Sequence, residues 1–258
     1  MSTDPVGNAI WAIIDEWFDF DGNLTGAKAA SALGTTGTVS VSYETGLFGQ
    51  ELAPNSIATQ ALVNGNFQPS LTSHMCIGGW LDFIGSSTKT TTTSIAYDTN
   101  SQNEALSINC LPTGVFTCGM FGAGGSEGLA QFPGRTIKNY PITVLVTDSS
   151  PAKQSASSPQ VIQISGNVPQ LGRYFIVGQW NASTLELWMN GVLVATAAVQ
   201  TPRNDVVRLF QAGNQFTAST TPCGLESLFY STTHVLTSAQ IIWLYNNGAG
   251  RQSSDLKP

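Results

Sequence analysis

Charge is scarce in this chain. Only 10% of its 258 residues are Asp, Glu, Lys or Arg, against about 25% in an average domain, so Ser, Thr, Asn, Gln and Gly must supply most of the polar surface. Surfaces of that kind suit extracellular or virion proteins. The ten Lys and Arg are scattered singly in a chain of formal net charge -6, which leaves no basic patch to neutralise phosphates and excludes nucleic acid as a partner. Histidine is nearly absent, with only His74 and His234, and no nucleophilic triad emerges around either. The four cysteines, Cys76, Cys110, Cys118 and Cys223, include no CxxC pair, which argues against a zinc or redox site. Free, mostly buried thiols and assembly in a reducing cytosol are the expectation.

Long apolar runs are missing too. None approaches the roughly 18 residues that a membrane-spanning helix needs, so no membrane association is expected. The opening stretch, MSTDPVGNAIWAIIDEWFDFDG, lacks a basic segment and carries Asp15, Glu16, Asp19 and Asp21 inside its apolar part, which argues against a secretory signal. Helical periodicity and internal repeats are absent from most of the chain.

What remains is a succession of short alternating runs bounded by Gly, Pro, Asn and Ser, the pattern of an all-β sandwich or barrel. Strands are expected at 16–20, 38–43, 50–52, 75–83, 91–97, 105–109, 115–121, 142–147, 160–165, 173–180, 184–189, 193–199, 206–212 and 224–230. Two sheets of six or seven strands each would form one large domain over residues 15–250. Residues 147–159, TDSSPAKQSASSP, offer almost nothing to bury and are expected as a long hairpin loop. Residues 1–14 are expected as an N-terminal arm and 251–258 as a tail, with Trp11, Ile13 and Ile14 as apolar docking residues of the arm.

Two segments are the most explicit. In residues 174–199, Leu185, Leu187 and Met189 face one way, Glu186, Trp188 and Asn190 the other, and Asn190-Gly191 is a strong signal for a two-residue hairpin turn. The preceding strand has apolar groups on both faces, so it is covered on both sides or lines a groove. In residues 224–248 a strand leads into a short helix. There Thr237 and Gln240 form a capping box, Leu236 and Ile241 a hydrophobic staple, Ile241, Leu244 and Tyr245 a buried stripe, and Gly248 a stop.

These stretches resemble the laminin-G-like, concanavalin A-like jelly-roll domains. TLELWMNGV at 184–192 is similar to the family's L-x-L-Y-V-N-G hairpin, and LTSAQIIWLYNNG at 236–248 to its closing helix. Further likenesses lie in GLESLFY at 224–230, WFDFDGNL at 17–24, GLFGQELAP at 46–54 and MCIGGWLDF at 75–83. The resemblance implies a two-sheet antiparallel jelly-roll sandwich with a short C-terminal helix. Glycoside hydrolases of this fold present paired carboxylates by an E-x-D-x-E spacing, which is missing here, so no enzyme is expected.

Three site-level expectations follow. Sugars stack on aromatic faces and bond to amides and carboxylates. Trp188, Glu186 and Asn190, beside Trp180 and Tyr174 on the neighbouring strand, could form such a carbohydrate platform, or the aromatics are covered by loops or subunit contacts. Asp21 and Asn23 offer oxygen ligands for calcium, with Glu226 joining them if the first and last strands pair as the resemblance implies; no other cofactor is expected. The arm residues would dock on other virion proteins or on further copies in a homo-oligomer. The chain is thus expected to be a bacteriophage virion structural protein, namely a capsid (head) decoration, fibre or tail-surface subunit with weak adhesion to cell-surface glycans. The alternative is a lectin module of a cellular protein, extracellular or at the cell surface.

Overall fold

The computed structural model describes residues 4–29, 32–35, 41–53, 59–67, 74–84, 91–96, 104–110, 115–121, 145–146, 161–167, 170–198, 207–212 and 223–257. The expected loop at 147–159 lies outside these residues, as do most of the strand expected at 142–147 and the start of that at 38–43. Sixteen strands and three short α-helices are described. They run α1 (Pro5–Ile13), β1 (Glu16–Phe18), β2 (Gly34–Thr35), β3 (Tyr43–Thr45), β4 (Gln50–Leu52), β5 (Thr59–Phe67), β6 (His74–Phe83), β7 (Thr91–Ala96), β8 (Glu104–Cys110) and β9 (Val115–Phe121). There follow β10 (Leu145–Val146), β11 (Val161–Asn167), β12 (Gly172–Asn181), β13 (Thr184–Met189), β14 (Val192–Ala198), β15 (Val207–Ala212), β16 (Cys223–Ser231), α2 (Ser238–Tyr245) and α3 (Ser253–Leu256).

Two antiparallel sheets carry these strands. The front sheet has the order β14-β13-β12-β6-β16-β4-β3, with β1 on the same edge of β16 as β4, and the back sheet the order β10-β11-β9-β8-β7-β15-β5-β2. The fold is an all-β, two-sheet jelly-roll sandwich. Strand β5 is unanticipated because its segment holds Asn64, Gly65 and Asn66, types that strands disfavour; pairing with β15 holds it in the sheet.

Between the sheets lies one continuous core that includes Met75, Ile77, Leu81, Ile176, Trp180, Leu185, Leu187, Leu228 and Tyr230 from the front and Leu106, Ile108, Ile164 and Phe210 from the back. Phe210 ties the layers together, stacking on Tyr230 with ring centroids 4.5 Å apart and on Phe18 at 5.6 Å. Cys76, Cys118 and Cys223 are buried free thiols, and burial pushes the Cys76 thiol up to about 12, a value at which it is inert.

A second apolar layer covers the outer face of the front sheet. Trp17, Cys76, Trp80, Phe175, Val177 and Phe229 pack there against Ile10 and Ile14 of the N-terminal segment, Leu236, Ile241 and Leu244 in and before α2, and Leu256 of α3. Strand β12 is therefore apolar on both faces because it is covered on both sides.

Both chain ends depart from expectation. Residues 4–14 do not form an extended arm, because Asp4 caps α1 through the amides of Val6 (2.8 Å) and Gly7 with Pro5 in the first turn. That turn chemistry starts a helix, and spacing of four then puts Ile10 and Ile14 together on the sheet. Trp11 and Ile13 are half-buried on the same layer, with the Lys28 and Lys257 ammonium groups 5.8 and 5.6 Å from the Trp11 ring centre. The expected tail docks as α3, where Asp19 accepts hydrogen bonds from Ser253 Oγ (2.5 Å) and Trp17 Nε1 (2.8 Å).

Gly79 has φ +157°, and a Cβ there would lie 1.9 Å from the Ser227 carbonyl oxygen of the paired strand. Gly79→Ala is expected to destabilise the fold by about 3 kcal/mol or more, since backbone must move to admit it. Urea unfolding monitored by tryptophan fluorescence checks this.

Candidate functional site

The expected carbohydrate platform is not assembled. The turn between β12 and β13 pairs Trp180 with Leu185 and Val177 with Trp188, so Trp180 shares its face with Leu185 and Leu187 in the inter-sheet core and is 0% exposed. Tyr174 lies on that inner face too, its hydroxyl donating to the Gln170 carbonyl at 2.8 Å. Only Glu186 and Trp188 remain on the outer face, and there they meet Gln179. The Gln179 amide donates to Glu186 Oε2 (2.8 Å) and to the Leu236 carbonyl (3.1 Å), and its oxygen accepts from the Leu236 amide (3.1 Å). Trp188 Nε1 donates to the same Glu186 oxygen at 2.9 Å. This network latches the segment ahead of α2 onto the sheet.

Asn190 serves the hairpin itself. It has φ +51° and Gly191 φ +79°, as a tight turn requires, and the Asn190 side-chain oxygen accepts from the Phe175 amide at 2.9 Å.

The three calcium candidates have separate tasks. The first and last strands do pair, Glu16 with Tyr230 and Phe18 with Leu228, but Asp21 Oδ1 accepts from the Gln50 amide (3.2 Å) and Asn23 Oδ1 from the Thr25 amide (2.9 Å). Glu226 accepts from the Phe48 amide. Asp21 and Glu226 thus serve the amides of the β3–β4 turn and do not converge on a cation. Among the described residues no group of three or more His, Cys, Asp or Glu side chains is arranged to hold a metal ion, so the residues present do not fit calcium.

Glu226 belongs instead to a cluster that sequence reasoning missed. The register of β16 on β6 slips between Leu225 and Ser227, so Glu226 is the extra residue of a β-bulge, and such residues are re-aimed out of the alternation. Its carboxylate joins those of Glu51 on β4 and Asp82 on β6 around Arg173 of β12. Arg173 Nε lies 3.9 Å from Glu226 Oε2, 3.8 Å from Glu51 Oε2 and 3.6 Å from Asp82 Oδ2, and its guanidinium also donates to the Thr45 carbonyl at 3.2 Å. Glu51 and Glu226 are each 1% exposed. Glycines make the room, since a Cβ on Gly46 would lie 2.5 Å from Glu226 Oε1 and one on Gly224 2.5 Å from Glu51 Oε1. The only signal in the sequence is Glu51 alternating with Leu52 in a nearly uncharged stretch.

Three carboxylates face one guanidinium here, and both Glu51 oxygens lack a hydrogen-bond donor. Burial first, then the charges of Asp82 and Glu226, push the Glu51 carboxyl up from its ordinary 4.5 to about 8 against the pull of Arg173. Burial raises Glu226 as well, opposed by the Phe48 amide and Arg173. A carboxyl so enclosed cannot reach a polymeric substrate.

No protein-family model and no curated protein sequence matches this chain. Solved structures do. The binding domain of Paraclostridial Mosquitocidal Protein 1 superposes with a TM-score of 0.58 at 10% identity, over 93% of this chain and 53% of its own. The ligand binding domain of botulinum neurotoxin serotype D, in complex with N-acetylneuraminic acid, superposes with a TM-score of 0.59 at 10% identity over 93% and 52%. The binding domain of botulinum neurotoxin DC, in complex with rat synaptotagmin II, gives 0.55 at 13% identity over 92% and 52%. The chain spans about half the length of these domains. At such identities the likeness shows the fold, an all-β sandwich of the kind found in receptor-binding domains.

Two outcomes are expected. A folded-state value raised above 4.5 means that the native Glu51 keeps a proton the unfolded chain has released, so stability falls as pH rises from about 4.5 through about 8. Glu51→Gln should therefore melt above the parent at pH 8, by the equivalent of about 1–3 kcal/mol, with the gap closing toward pH 5; calorimetry at both pH values decides. Gln179→Ala should expose α2, lowering stability by about 2 kcal/mol and deprotecting the amides of Leu236 to Tyr245 in hydrogen exchange.

Proposed function

We propose that this chain is a non-catalytic adhesion module that binds glycans or a protein receptor, carried on the surface of a bacteriophage particle as a head-decoration, fibre or tail-surface subunit. One observation carries the adhesive part: over nine-tenths of the chain follows the sandwich of solved binding and ligand-binding domains. One of those is complexed with N-acetylneuraminic acid and another with rat synaptotagmin II, so a cell-surface glycan or protein is the class of partner this reading takes. The laminin-G-like motifs and the low-charge surface rich in Ser, Thr and Asn support display outside a cell.

The site's chemistry agrees with binding rather than turnover. Buried carboxylates in the described residues are engaged by amides or by Arg173, or enclosed beneath the β3–β4 turn. Helices cover the outer face of the front sheet, so adhesion falls to the loops or to the outer face of the back sheet. The alternative, a lectin module of a cellular protein, shares this chemistry and differs in where the chain is carried.

On an array of immobilised sialylated and neutral glycans, the protein is expected to be retained by at least one class with no release of reducing ends. Release of reducing ends, or retention by neither glycans nor intact cells, would refute adhesion. Immunogold labelling is expected to decorate phage particles from a producing culture; label confined to the host envelope would favour the cellular lectin.

A further inference from the structure

Hairpin β3–β4 is fastened to the rest of the molecule largely by side chains. Its strands have three residues each, and among the described residues a single ladder pair, Leu52 with Leu225, joins it to the front sheet. Leu52 is buried in the core at that end, whereas Leu47 and Gly49 at the tip are exposed. Within the tip the Gly46 amide donates to the Gly49 carbonyl at 3.0 Å. Side chains from four other places hold it down. Glu226 accepts from the Phe48 amide, Gln252 donates to the Phe48 carbonyl (3.1 Å), Asp21 accepts from the Gln50 amide (3.2 Å) and Arg173 donates to the Thr45 carbonyl (3.2 Å). Phe48 stands edge-on to Trp80, with ring centroids 6.4 Å apart.

Two of those side chains, Glu226 and Arg173, belong to the charge cluster beneath the tip. Facing Glu51 are Asp82 of β6, Glu226 of β16, Arg173 of β12 and, on its own hairpin, Glu44 of β3. Neither Glu51 oxygen nor Glu226 Oε2 has a hydrogen-bond donor, and both residues are buried. With every carboxyl ionised, the closed corner would hold negative charge that neither water nor Arg173 compensates. A proton on Glu51 removes one of those charges. Lifting the tip instead admits water to the carboxylates, at the cost of the Phe48 amide bond and the Phe48–Trp80 contact.

We propose that hairpin β3–β4 is a proton-operated flap, closed over the corner while Glu51 carries a proton and swinging open about Leu52 when that proton leaves. Closed, it hides Trp80 and the carboxylates of Glu51 and Glu226; open, it bares them with Phe48 as an apolar and acidic patch on the outer face of the front sheet. The direction follows from what each state does to the proton. Under the closed flap, burial and then Asp82 and Glu226 push the Glu51 carboxyl up to about 8 against the pull of Arg173, and in water it returns to its ordinary 4.5. The closed state therefore binds the proton more tightly, and opening becomes easier as pH rises from about 4.5 to about 8. Burial raises Glu226 as well, which acts in the same sense.

Hydrogen exchange of the full chain, corrected for the chemical rate at each pH, tests this. The amides of Gly46, Phe48 and Gln50 are expected to open more often than those of Leu185 and Leu187 in β13, as a local motion requires. Their opening constant should rise by roughly tenfold per pH unit through the middle of that range. Glu51→Gln, which cannot ionise, should flatten the rise and protect the tip at pH 8 by about tenfold or more over the parent. Exchange of the tip only as fast as β13, opening that does not change with pH, a Glu51→Gln tip as pH-sensitive as the parent, or closure at pH 8 brought about by added calcium would overturn the inference. Should Glu51→Gln not fold, the pH dependence of the parent's tip against its β13 still decides.

Discussion

The architecture depends on how closely Phe229 lies against strand β6. A Cβ at Gly78 would stand 2.4 Å from the Phe229 ring and 2.9 Å from Val177, so only a strand without a side chain at that point lets the ring lie flat on the sheet. Trp17 then stacks on Phe229 at 5.0 Å, and Ile10, Ile14, Ile241 and Leu244 close over both. Each of these helices is too short to persist alone. Their stability comes from the apolar floor that the glycine notch creates, and the chain ends fold because that floor needs covering.

Covering the front sheet decides what its polar groups can do. Gln179, Glu186 and Trp188 would be available to a ligand on a bare sheet; beneath the segment before α2 they bond to one another and to Leu236. At the other end of the same face, in the corner formed by β4, β6, β12 and β16, the chain places Glu51, Asp82, Glu226 and Arg173. Carboxylates shielded from water with one guanidinium among three are a net cost at neutral pH, partly relieved by the proton on Glu51. The face therefore passes from apolar packing to a charge cluster within a few residues of strand.

The hairpin at Asn190-Gly191 and the helix capped by Thr237 and Gln240 were legible because their signals are local: a positive φ at two adjacent residues, and two reciprocal hydrogen bonds within one turn. The side-by-side placing of Trp180 and Trp188 was a misreading of register. Asn181 pairs with Thr184, and counting back from that turn puts Trp180 with Leu185. The cluster at Glu226 was harder. Strict alternation in GLESLFY sets residues 225, 227 and 229 on one face, whereas the bulge sends Leu225 and Leu228 inward and Phe229 outward, and nothing within that segment announces the slip.

By itself, then, the order of residues determined that this chain is an all-β sandwich, where its clearest hairpin turns and where its last capped helix begins, since each of these follows from backbone preferences over two to five neighbours. Only the tertiary structure decided which face of each strand is dry, that the two chain ends meet as helices on one sheet, and that Glu51 and Glu226 come to share an arginine. Those outcomes depend on contacts between residues tens to hundreds of positions apart, such as Asp19 with Ser253 or Phe48 with Glu226, and no local preference encodes them.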